Sequence, residues 1–208
     1  MALKYGDLIL FQGDSITDCQ RNRADGNDLG GGYPKLVASA LSALRPDLGL
    51  QFLNRGISGD RTNDLLARWD ADCLALRPAL LSIFIGINDI WHRYGGRGLT
   101  DAQLEENYTE LLSRTRSTLG DIPIIIMEPF LTPDSTATLT RAEVDEVRPI
   151  IRRLAETFNA VFVPLDEPLA KAAEAFPPAT ITQEGVHPTS QGHAIIAKHW
   201  LDAALPLL

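Results

Sequence analysis

Four short polar stretches hold the side chains in this sequence that could do chemistry. The apolar run 8–11 gives way to Gly13-Asp14-Ser15, so a small hydroxyl directly follows a segment that reads as a buried parallel strand. Ligands of open α/β sheets bind just outside the carboxyl ends of the strands, which makes Ser15 a candidate nucleophile by position. Gly-Asp-Ser is equally an ordinary exit from a strand, with Ser15 capping the next helix. Near the other end of the chain, Pro188 biases His187 away from helical geometry and projects it from a loop. His187 is the candidate base, and Glu184, three residues before it, is the carboxylate that could fix its tautomer and stabilise its charged form. Acyl transfer from an ester also needs donors aimed at the oxygen that becomes negative. The backbone N–H groups of Ser15 and Gly59 and the side-chain amide of Asn88 are the candidates, although Gly59 also reads as a turn glycine and Asn88 as a cap at a strand end.

A looser set surrounds these groups. Asp14, beside Ser15, is a candidate for substrate contact, as are Trp91 and Tyr94 in the glycine-laden stretch after Asn88, whose rings could stack on a sugar. Packing is the alternative reading for Trp91, and for Trp69. His92 reads either way, while His193 and His199 sit at helical spacing and read as core or surface.

The elements that must position these residues alternate. Strands are expected at 8–11, 51–54, 80–85, 123–129 and 160–163, each built on an apolar or β-branched run. Helical spacing marks 34–44, 62–76 with Thr62 as N-cap, 104–119, 144–158, 165–175 and a last helix after the His187 loop. Pro149 should bend the fourth of these unless the helix starts there. Long loops are expected at 17–32 and 130–140. Strand and helix alternate throughout, so the sheet should be parallel, with right-handed crossovers and helices on both faces. Every candidate catalytic residue then falls on one rim of that sheet.

Composition narrows the classes. The 208 residues, 45% hydrophobic and 22% charged with no linker-like shift, suit one domain spanning 1–208. A net charge of −8 leaves no basic stripe for nucleic acid and favours a neutral small-molecule substrate. The apolar runs are too short to span a bilayer. The first residues lack the leader of a secretory signal, and Cys19 and Cys73 match no metal or redox spacing. A cytoplasmic protein with free thiols is expected.

The four stretches together resemble the blocks of the GDSL esterases of the SGNH hydrolase superfamily: GDSIT at 13–17, NRGISGDRT at 54–62, GIND at 86–89 and EGVHPTSQGH at 184–193. They span nearly the whole chain in the family order. The resemblance implies a three-layer α/β/α sandwich like flavodoxin, with a central parallel sheet of about five strands. It also implies cofactor-free and metal-free ester hydrolysis through an acyl-enzyme, with the roles given above for Ser15, Gly59, Asn88 and His187. One position departs, since the family carries an aspartate where this chain has Glu184. The extra methylene displaces the carboxylate by roughly 1.5 Å, so the loop must retract or a backbone carbonyl must share in orienting His187. The expected activity is hydrolysis of short acyl esters, acetyl foremost, on a carbohydrate. Acyl transfer to an alcohol through the same intermediate and lipase-type activity are the alternatives. A metal-dependent phosphoesterase built on Asp14, Asp18, Asp89, His187 and His193 is a third class, without a recognisable ligand spacing.

Overall fold

The computed structural model describes residues 3–207. Five parallel strands form its sheet: β1 (Leu8–Gly13), β2 (Gln51–Asn54), β3 (Leu80–Phe84), β4 (Ile124–Met127) and β5 (Val161–Val163), in the order β2-β1-β3-β4-β5. β1 and β3 are central, and their registers match Ile9 with Leu80 and Gly13 with Phe84. Their apolar runs are continuous because both faces are covered: Ile9, Leu10, Phe11, Leu80, Leu81 and Ile83 have no exposed surface.

The helices are α1 (Ser15–Asp18), α2 (Tyr33–Leu44), α3 (Thr62–Ala67), α4 (Trp69–Asp72), α5 (Ile87–Trp91), α6 (Asp101–Leu119), α7 (Arg141–Thr157), α8 (Asp166–Ala175) and α9 (Ser190–Ala204). Right-handed crossovers, with the winding direction reversing at β1, put α2 on one face and α3, α6 and α7 on the other. The helix contacts follow that division, α2 packing on α9 and α6 on both α3 and α7. Capping boxes start the two long helices, Thr100 with Gln103 for α6 and Thr140 with Glu143 for α7. Among the described residues, no helix is long and apolar enough to cross a membrane.

Three expectations about elements need correction. The single helix expected over 62–76 is broken into α3, α4 and a 3-10 turn, Leu74–Leu76, because Arg68 and Cys73 leave helical backbone geometry. The break follows from side chains reaching in from β1's end: Gln12 Nε2 donates to the Asp72 carbonyl at 2.6 Å, and Arg68 turns towards Asp60 and the Gln12 amide. Thr62 is not the cap of α3. That position is Arg61, and the Thr62 hydroxyl donates instead to Asp89. The helix containing Pro149 starts at Arg141 and runs through it. Pro149 lies on the exposed face, where water can serve the carbonyl its missing N–H leaves free.

Candidate active site

The strand order reverses at β1, between the ends of β1 and β3, which is where ligands of such sheets bind. Gly13 ends β1 in a space with no room for a side chain, since a Cβ there would lie 2.3 Å from Thr17 Oγ1 and 2.4 Å from the Phe84 carbonyl oxygen. Asp14 caps α1, its Oδ1 accepting from the Ile16 amide at 3.0 Å. Ser15 therefore occupies the first helical position, where its own N–H has no intrahelical acceptor.

From the far end of the chain, His187 is brought to the same rim. Its loop is a narrow hairpin in which Gln183 N donates to His187 O and Thr189 N to Ile181 O, both at 2.9 Å, and Thr189 caps α9. His187 Nε2 lies 2.8 Å from Ser15 Oγ, across 172 positions of sequence. Its Nδ1 lies 2.5 Å from Glu184 Oε1, and the same oxygen accepts the His187 backbone N–H at 2.9 Å. The loop that carries the glutamate is held from outside. The Glu184 carbonyl accepts from Ser135 Oγ and from the Thr136 and Ala137 amides. Gly185 follows with φ +99°, packed so closely on Ser135 that a Cβ would lie 2.4 Å from it. Hydroxyl, imidazole and carboxylate thus stand in a line suited to moving a proton off the serine.

The cavity beside this line, about 420 Å³, is walled by Ser58, Gly59, Asn88, Trp91 and His92 together with Ser15 and His187. Gly59 has φ +85°, a conformation glycine adopts without strain. One N–H of the Asn88 amide goes to the Asp60 carbonyl at 3.1 Å, leaving the second for a ligand. Among the described residues, the backbone N–H groups of Ser15 and Gly59 have no acceptor. Trp91 donates its indole N–H to Thr138 and sets its ring 5.9 Å from that of His187.

Two of the expected substrate contacts are engaged with partners in the protein. Asp14 is 1% exposed and engaged as a helix cap, and its burial pushes its pKa up to about 7, the Ile16 amide opposing the rise and Asp89 and Asp60 adding to it. Tyr94 is not among the residues that wall the cavity; it is half-exposed, with its hydroxyl donating to Glu143 at the start of α7. The set that a metal-dependent reaction would use is also dispersed. Asp18 binds the Ser58 amide and Arg23, and Asp89 binds Thr62. His193 Nδ1 accepts from the Tyr33 amide. Among the described residues, no three His, Cys, Asp or Glu side chains are grouped to hold a metal ion.

Sequence reasoning missed Asn54 altogether and did not give Asp89 its bracing role. Asn54, fully buried at the end of β2, donates to the Thr17 and Leu29 carbonyls at 2.6 and 2.9 Å and accepts from the Gly56 amide at 2.8 Å. It ties the first loop to the second. Asp89 accepts from the Thr62 amide through both oxygens at 3.1 Å and from the Thr62 hydroxyl at 2.5 Å. Burial raises its carboxyl to about 6 against those bonds. A second cavity, about 210 Å³, shares Ser15 and His187 and extends past Cys19, Gln20, Gln183 and His193. There the His193 pKa is lowered to about 4 by burial first and by His187 second. For Asn54, its position inside the motif at 54–62 is the one sequence signal that marks it.

Comparison with known proteins gives the family. The model of the GDSL-like Lipase/Acylhydrolase family matches residues 11–195. The acetylxylan esterase of Geobacillus stearothermophilus is 35% identical over 208 residues, covering 97% of this chain and 95% of the relative. Among solved structures, Axe2, an acetylxylan esterase of the same organism, superposes with a TM-score of 0.88 at 33% identity, over 98% of this chain and 96% of that one. Solved variants of Axe2 described as catalytic mutants replace a histidine and, three positions before it, an aspartate. LAE5, an alpha/beta hydrolase from the Lake Arreo metagenome, superposes with a TM-score of 0.89 at 29% identity, over 99% and 98% of the two chains. With a family match over most of its length and a full-length relative among esterases, the chain belongs to the GDSL-like lipase/acylhydrolase family and is a carboxylic ester hydrolase.

Proposed function

We propose that this esterase removes acetyl groups from carbohydrate through an acyl-enzyme on Ser15. The observation that carries the reading is the uninterrupted line from Ser15 Oγ to His187 Nε2, 2.8 Å, and from His187 Nδ1 to Glu184 Oε1, 2.5 Å. Ser15 Oγ attacks the ester carbonyl as His187 takes its proton, and Glu184 stabilises the imidazolium that forms. The negative oxygen is met by the amides of Ser15 and Gly59 and by the free N–H of Asn88. His187 then protonates the departing alcohol, and water, activated by the same imidazole, hydrolyses the acetyl-serine. The acetylxylan esterase relatives support the acetyl group and the sugar.

The test is a panel of p-nitrophenyl esters of increasing acyl length alongside acetylated xylo-oligosaccharides, with a fluorophosphonate probe to label the nucleophile. Turnover should be highest for acetyl, and Ser15→Ala should abolish both labelling and turnover. Faster cleavage of long acyl chains, or labelling that survives in Ser15→Ala, would overturn the proposal.

A further inference from the structure

Trp91 and His92 wall the cavity without a part in the acyl-transfer chemistry. His92 opens a 3-10 turn, His92–Gly95, whose position is fixed from outside: Arg97 N donates to the His92 carbonyl at 3.0 Å, and the Arg61 guanidinium reaches the Arg97 carbonyl. The ring stands over Gly59, where a Cβ would lie 4.0 Å from His92 Cε1. Its Nδ1 is sealed from solvent with no hydrogen-bond partner. An imidazolium would place an N–H there with nothing to accept it, so the ring is neutral and keeps its single proton on Nε2, the nitrogen that remains open. Burial first, then the charges of Arg97 and Arg61, act in the same direction by lowering the pKa of His92. The result is a fixed hydrogen-bond donor in the cavity wall that no group of the protein uses.

Its side of the scissile bond follows from the chemistry. The base must hand its proton to the leaving oxygen, so the wall beside His187 faces the alcohol half of the ester. Trp91, next to His92 in sequence, is the ring packed 5.9 Å from His187, and with its N–H committed to Thr138 it presents only its apolar surface. An acetyl methyl has no use for a donor, whereas a sugar carries hydroxyl and ring oxygens for the donor and an apolar face for the indole. We propose that His92 and Trp91 form the recognition wall for the sugar, with His92 Nε2–H donating to a sugar oxygen, which makes His92 a specificity-determining residue. This assignment rests on the carbohydrate reading above.

Steady-state kinetics on an acetylated xylo-oligosaccharide and on p-nitrophenyl acetate separate the two. In His92→Phe, kcat/KM for the sugar ester should fall about tenfold, the loss of one hydrogen bond to an uncharged group. The p-nitrophenyl acetate value should stay within about twofold, which also reports that the variant is folded. His92→Gln, whose terminal amide can donate from nearly the same place, should recover most of the loss. Equal losses on both substrates would make the ring a prop for Gly59 and overturn the assignment, as would an unchanged rate on the sugar ester. If the unaltered enzyme cleaves p-nitrophenyl acetate but not the sugar ester, the carbohydrate reading fails first and this one with it.

Discussion

Asp89 offers a direct test of how the proposed oxyanion donors are held. Two adjacent residues on α5 suspend the segment that follows Gly59: Asn88 donates to the Asp60 carbonyl, and Asp89 accepts the amide and hydroxyl of Thr62. Thr62 is fully buried, so Asp89→Ala strands two donors away from water. Each stranded donor costs about 1–3 kcal/mol, giving about 2–6 kcal/mol of lost stability. The same loss frees the segment carrying the Gly59 N–H. Removing one oxyanion donor outright costs about 10²–10³ in kcat, so displacing one should cost about tenfold to a hundredfold. Asp89→Asn should behave differently, because it keeps a carbonyl oxygen for Thr62. It also removes a carboxylate that burial disfavours, its pKa standing at about 6, so the variant should keep most of its activity. The assay is kcat on p-nitrophenyl acetate, with thermal unfolding followed by circular dichroism. A folded Asp89→Ala variant with undiminished kcat, or an Asn variant as impaired as the Ala variant, would refute the link between this carboxylate and the oxyanion site.

Two further outcomes are expected. Glu184→Gln should lower kcat by about 10³–10⁴, as loss of an orienting charge does in serine proteases, and Glu184→Asp should retain far more, since it keeps the charge while withdrawing it by roughly 1.5 Å. A Gln variant close to the parent enzyme in kcat would mean that the backbone alone orients His187. Because burial holds the Asp14 carboxyl at about 7 against its usual 3.8, the folded protein keeps a proton that the unfolded chain releases between those values. Stability therefore falls as pH rises through that window, by a cost on the order of 4 kcal/mol once the carboxyl is ionised. Asp14→Asn preserves the cap without the charge, so its melting temperature should decline less than the parent's between about pH 5 and about pH 8. Parallel pH profiles would contradict this.

The placing of Ser15 and His187 on one rim, and the sheet that carries them, were legible because both rest on signals confined to short segments. A buried apolar run closed by Gly13 announces β1 and the position of Ser15, and alternating strand and helix patterns dictate parallel pairing and a common rim. His187 was legible for a related reason, since Pro188 constrains its immediate neighbour whatever the tertiary structure does. The misread positions are those where a distant side chain decides the local outcome. The apolar spacing over 62–76 correctly reports a buried face containing Leu65, Trp69 and Cys73. It contains no information about Gln12 reaching the Asp72 carbonyl across 60 positions and helping to break the helix.

The polar residues follow the same division. Asp14, Asn54 and Asp89 are polar side chains lying in or beside the four motifs, and nothing in their identity distinguishes a ligand contact from a brace. What distinguishes them is which buried backbone donors and carbonyls need partners, a matter of which loops are neighbours. Asn54 reaches carbonyls 37 and 25 positions away because the loops after β1 and β2 pack backbone to backbone, so tightly that a Cβ on Gly56 would lie 2.4 Å from the Asp18 amide. Polar side chains whose hydrogen bonds are all taken up by the backbone hold the loops in place. Those with one group left over, such as Asn88 with its second N–H and His92 with its open Nε2, are the ones free to meet a substrate.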